Sequence, residues 1–212
     1  EPCSRPSVWI MSISSKSPRR VALVALPIAR DRLNDYAHPF FPHKYTQPQL
    51  FACLVLKRRF KLDYRGITAI LDDWPTLCQT LGLKQVPHYT TLQKAAQRLL
   101  TKPITQRLLC RTNQRLDGRR QSRRKVRLAA ADSTGMEAEH CSAYFTKRRK
   151  QSGKTVIYSH FPKLALMVDT QTHMICSMLT TQGPKVDVQE LEPLLDGCVG
   201  SVCLHHLLAD AG

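Results

Sequence analysis

The 212-residue sequence is short of acidic charge: 16 Asp+Glu stand against 32 Lys+Arg, a formal net of +16. A field of that sign favours a polyanionic partner, nucleic acid first and an anionic membrane surface second. No apolar run is long enough to span a bilayer. The best, Val21 to Ala29, contains Pro27. It follows Arg19-Arg20 as the core of a signal peptide would, yet Arg30, Asp31 and Arg32 come at once, with no good cleavage site. None of the eight cysteines forms a CxxC pair, and most sit inside apolar stretches such as Phe51-Ala52-Cys53-Leu54. They read as buried thiols of a protein in a reducing cytoplasm. A zinc site from His140-Cys141, or from Cys203 with His205 and His206, fits no finger or ribbon spacing. No internal repeat is visible. The hydrophobic fraction of 42% is enough for a packed core and excludes wholesale disorder.

What is present is unevenly placed. Residues 1–128 hold 25 Lys+Arg and 7 Asp+Glu, a net of +18, whereas residues 129–212 hold 7 and 9, a net of −2. A basic half joined to a mildly acidic half suggests two tasks, holding DNA and then doing chemistry or binding metal. Residues 1–35 read as a disordered basic tail, with Met11 a candidate start. Residues 36–116 read as a helical domain, 117–127 as a basic linker and 128–212 as a strand-bearing domain. Six of the eleven linker residues are basic. Arg119, Arg120, Arg123, Arg124 and Lys125 would form a phosphate-contacting strip.

Within the helical region, Gln47-Pro48 opens a pattern in which Leu50, Cys53, Leu54 and Lys57 fall at helix spacing. Ile67, Ile70 and Leu71 share a second helical face, and Trp74-Pro75 interrupts it. Thr90 or Thr91 would cap a helix whose inner face is Leu92, Ala95, Ala96 and Leu99. Its outer face would carry Gln93, Lys94, Gln97 and Arg98, which makes it a candidate recognition helix. A solvated basic face on an ordinary bundle fits the same residues equally well. A further helix begins near Pro103, with Ile104, Leu108 and Leu116 inward.

From residue 126 the pattern changes to strands. Val126 to Ala131, Lys163 to Val168 and Met174 to Thr181 are three, the last two forming a hairpin with Asp169 as a turn residue. Val188 to Leu195 is a helix started by Asp187, with Gly197 and Gly200 ending it. Val202 to Ala209 is a fourth strand. The expected class is therefore α+β: an all-helical domain, helix-turn-helix-like, followed by strand, strand, strand, helix, strand, the order in which an RNase H-like domain begins.

Two strings carry candidate chemistry, Ala129-Ala-Ala-Asp132-Ser-Thr-Gly135 and Leu207-Leu-Ala-Asp210-Ala-Gly212. Each puts a carboxylate at the end of an apolar strand, with small residues after it. Two-metal phosphodiester cleavage needs carboxylates converging on ions roughly 4 Å apart. Neighbouring strands can hold such groups rigidly, and small neighbours admit a DNA backbone. Taken alone, either Asp is more often a turn residue.

Together with Lys163-Leu-Ala-Leu-Met-Val-Asp169 between them, these strings resemble the DDE transposases of bacterial insertion sequences, groups four and five. Residues 46–100 resemble the N-terminal domain of that group, including Thr90-Thr91-Leu92, and the resemblance covers roughly 45–212. It implies Asp132 as the first catalytic aspartate, bridging two Mg²⁺ (or Mn²⁺) ions, and Asp210 as the second, holding one of them. It also implies double-stranded DNA as partner, both transposon ends and target, and dimers working on paired ends. The family's third acidic residue, a Glu, follows the second Asp, so the chain is expected to be a truncated copy. Glu190 and Glu192 precede Asp210 and do not match that Glu by order. Lys147, Arg148, Arg149 and Lys150, on the loop or hairpin after the first strand, would clamp DNA near the site or form a solvated turn. His160 reads as a structural or exposed histidine. Two other functions stay open: a non-catalytic DNA-binding remnant or repressor, and an RNase H-like nuclease unrelated to transposition.

Overall fold

The computed structural model describes residues 17–38, 40, 43–116, 123–136, 161–183 and 188–209. These fall into two compact units, divided between Thr101 and Lys102. The class is α+β, as expected, with a helical N-terminal region and then a four-stranded mixed sheet.

The first unit contains five helices: α1 (Pro18–Arg30), α2 (Gln47–Arg59), α3 (Tyr64–Asp73), α4 (Pro75–Leu81) and α5 (Tyr89–Leu99). Helix α1 corrects the reading of residues 18–30 as tail. Ala22, Ala25, Leu26 and Ala29 recur at helix spacing and are buried, Ser17 caps the helix and Pro18 opens it. Pro27 lies inside α1. Its lost hydrogen bond, a cost of ~3 kcal/mol or more, is offset by packing against α2 and α4. Helix α2 buries Leu50, Ala52, Cys53, Leu54 and Leu56 over a wide arc, because α1, α3 and α5 all pack against it. Thr46 and Gln49 cap its start reciprocally. The Asp63 carboxylate accepts from the Gly66 amide at 2.6 Å and starts α3. Gly82, at φ +68°, ends α4 in the left-handed region where a side chain would be strained. For α5 the cap is His88, whose Nδ1 accepts from the Thr90 amide, so the expected cap at Thr90 or Thr91 is two or three residues too late. The expected inner face of Leu92, Ala95, Ala96 and Leu99 is buried.

The second unit contains α6 (Lys102–Leu116), β1 (Arg124–Gly135), β2 (Phe161–Asp169), β3 (Ile175–Gly183), α7 (Val188–Cys198) and β4 (Val202–Ala209). The strands lie in the order β3-β2-β1-β4. β1–β2 and β2–β3 are antiparallel and β1–β4 is parallel, with α7 connecting β3 to β4. Strand, strand, strand, helix, strand is thus the observed order. Helix α6, read from sequence as the end of the helical domain, packs with this sheet instead. The Asn113 amide donates to the Ile175 and Cys176 carbonyls, and Lys102 Nζ to the Thr180 carbonyl at 2.6 Å. Helix α7 covers the same sheet. Val126, Ala129, Ala165, Met167, Cys176, Leu194, Cys198 and Val202 form one apolar cluster between them. Gly197 lies within α7 and does not end it. A Cβ there would meet Ser177 Oγ at 2.3 Å and Gln106 Nε2 at 2.6 Å, so the glycine is required by close approach.

Candidate functional site

Asp132 lies near the end of β1, exposed, opposite Leu166 of β2 and one residue past the Ala131–Ala209 pair with β4. Its Oδ1 accepts from the Ser133 amide at 2.7 Å. A cleft of about 50 Å³ opens beside it, lined by Asp132, Ser133, Ala165, Glu190, Leu194 and Ala209 among others. That is room for a few water molecules. Asp210 follows Ala209 in the chain and lies outside the described residues.

Glu190 enters the cleft from α7 and is the residue that sequence reasoning set aside. It is 1% exposed. The Thr181 hydroxyl donates to its Oε1, and Lys163 Nζ lies 3.3 Å from its Oε2. Lys163 and Thr181 are cross-strand partners on β2 and β3, so both reach the same carboxylate. The signal was in the sequence: Lys163 shares the inward parity of Ala165 and Met167, and Glu190 stands four residues before the inward Leu194. A cation and an anion at inward positions imply a buried pair.

Arg124 corrects the DNA-contact reading of the 119–125 strip. It is buried at the start of β1 and ion-paired to Asp169, which is likewise buried and not a mere turn residue. Its other guanidinium contacts are Asn113 Oδ1 and the Thr172 hydroxyl. Burial by itself would raise the Asp169 carboxyl. The Thr172 hydroxyl, the Gln171 amide and the Arg124 guanidinium outweigh it and hold the group below its ordinary value. A guanidinium so buried and paired is turned away from the solvent where phosphate would lie. Arg123 and Lys125, its neighbours, are exposed. Gln93, Lys94 and Gln97 are exposed on α5 and Arg98 is half-buried there. Arg119, Arg120, Lys147, Arg148, Arg149, Lys150 and His160 lie outside the described residues.

The expectation of buried thiols holds for part of the set. Cys53, Cys176 and Cys198 are buried, but Cys78 and Cys110 are half-buried and Cys203 is exposed on β4. Burial pushes the Cys53 thiol up to about 12 and the Cys198 thiol to about 11. Among the described residues no three His, Cys, Asp or Glu side chains cluster in a way that could hold a metal, and no helix is long and apolar enough to cross a membrane.

The strand carrying Asp132, the helix carrying Glu190 and the strand leading to Asp210 all fall within one homologous stretch. Residues 123–212 match the transposase DDE domain. No curated protein and no solved structure matches the chain. The DDE-domain match starts one residue before β1 and runs through β4, so α6 precedes it although it packs on the same sheet. The donors in the cleft suit a hard cation. Magnesium takes oxygen ligands, commonly one or two carboxylates with several retained waters and substrate phosphates. Asp132 and Glu190 are the carboxylates that could hold such an ion, and Ala131, Ala165 and Ala209 are small residues of the same lining.

Proposed function

We propose that the chain is the transposase of an insertion sequence, cutting and joining DNA at terminal inverted repeats with Mg²⁺ or Mn²⁺. The observation that carries this reading is Asp132 at the mouth of a cleft within the stretch that matches the transposase DDE domain. Bound divalent ions would supply an activated water or 3′-hydroxyl and neutralise charge on the leaving oxygen. Asp132 holds such an ion, and Asp210, one residue past the β4 partner of Ala131, is the second carboxylate. The first unit recognises the DNA ends. Gln93, Lys94 and Gln97 on α5 are exposed side chains able to reach base edges or phosphates, in a unit of net charge +9 from 15 Lys+Arg and 6 Asp+Glu. Exposed Arg123 and Lys125, with Arg119, Arg120 and the Lys147-Arg148-Arg149-Lys150 run, add phosphate contacts.

The test uses duplexes carrying the repeats that flank the gene, incubated with the full chain and Mn²⁺. Metal-dependent nicking at the repeat ends is expected. Asp132→Asn should lower it more than about 100-fold, beyond the roughly 10–100-fold lost when only an outer partner of a metal ligand is removed. Binding to the ends should survive that substitution and weaken steeply with salt. Salt-sensitive binding with no nicking in either metal would replace this reading with a DNA-binding repressor derived from a transposase.

A further inference from the structure

The buried Glu190 has more in it than helix docking requires. Burying an ionised carboxylate is costly unless its oxygens are served. Oε1 is served by the Thr181 hydroxyl. Oε2 is buried, lies at ion-pair distance from Lys163, and makes no hydrogen bond. That under-served oxygen belongs to a side chain lining the cleft that Asp132 lines from the opposite element. Every other wall of the cleft is small or aliphatic: Ala131, Ser133, Ala165, Ala209, Val188, Leu191, Leu194.

We propose that Glu190 is a further carboxylate of the divalent-metal site, and that Lys163 is the cation it relinquishes when the metal binds. The proposal rests on the reading of Asp132 as a metal ligand. Lys163 then has a defined task. It neutralises Glu190 in the metal-free protein, which keeps α7 seated on β2 and β3, and it competes with the incoming ion for the same oxygen. Glu190 would add a second carboxylate beside Asp132 in the lining of the cleft.

The two substitutions therefore move metal affinity in opposite directions, and direct ligation makes the Glu190 effect the larger of the two. Mn²⁺ binding to the full chain is measured by titration of free Mn²⁺, with thermal unfolding followed in parallel. Glu190→Gln should weaken Mn²⁺ binding by about 10-fold or more. Lys163→Met should tighten it, and the double variant should lose the tightening. If both single variants bind Mn²⁺ as the parent does while Asp132→Asn binds it poorly, Glu190 is a docking residue and the proposal fails alone. If Asp132→Asn also binds normally, the underlying site assignment fails with it. Should Glu190→Gln not fold, Fe²⁺ with ascorbate and peroxide on the unsubstituted chain decides. Backbone scission near both Asp132 and Glu190 supports the proposal, and scission near Asp132 alone overturns it.

Discussion

The interiors of the two units are built on different principles. Leu56, Leu71, Leu77, Leu81, Leu92 and Leu99 fill the first, and it holds none of the buried polar or charged residues found among the described residues. Asn113, Arg124, Lys163, Asp169, Ser177, Glu190 and Ser201 are all in the second. A leucine interior tolerates repacking at constant volume. An interior with ion pairs does not, because a half-removed pair leaves a charge in low dielectric. The difference puts conformational tolerance in the helical unit and fixed register in the sheet that positions Asp132. Arg124–Asp169 ties the start of β1 to the end of β2, and Lys163–Glu190 ties β2 to α7. Each pair fixes an element that lines the cleft.

The contrast can be broken at its strongest point first. Arg124→Ala should destabilise the second unit by about 3–5 kcal/mol, the usual loss when one partner of a buried pair is removed, whereas the double substitution Arg124→Met with Asp169→Leu should cost far less. Hydrogen exchange at β1 and β2 reports this unit; an Arg124→Ala effect within about 0.5 kcal/mol would reduce the pair to a surface-like contact. Leu92→Ala should cost the first unit about 2–5 kcal/mol through the cavity it leaves. Both tryptophans, Trp9 and Trp74, precede Lys102, so tryptophan emission follows that unit separately.

Acid sharpens the comparison. Asp169 titrates below its ordinary value in the folded chain. Its contribution is therefore complete above the unfolded value, about 3.9, and is lost as pH falls through the folded one. Urea midpoints measured between neutral pH and pH 3 should fall in the parent and fall less in Asp169→Asn. A parallel fall in both would assign the acid sensitivity elsewhere. The smallest effect belongs to a surface cap: Asp63→Ala should cost the first unit about 1 kcal/mol, visible as a shift in the emission-detected midpoint.

Charge tells a related story about where a boundary falls. Divided at residue 128, the sequence is a basic half and a mildly acidic one. Divided where the chain actually separates, after Thr101, both units are basic, +9 and +7. Four of the basic residues counted with the first half, Lys102, Arg107, Arg111 and Arg115, are carried on α6, which packs on the sheet. Periodicity correctly placed a helix from about Pro103, but a helix's partner is not written in its own period. Nothing local distinguishes an inner face that meets other helices from one that meets strands.

The sequence by itself determined the α+β class, the order of the strands and of the helix between them, the inner face of α5, and the placement of Asp132 at the end of an apolar strand. These follow from periods of 3.6 and 2 and from turn residues, which act over a few neighbours. Tertiary structure decided the rest. It made a helix of residues 18–30, because burial against α2 and α4 offsets an internal proline. It turned Arg124 from a phosphate contact into a buried partner of Asp169, forty-five residues away. It brought Glu190 into the cleft of Asp132, a pairing that strand order and helix docking create and that no spacing along the chain expresses.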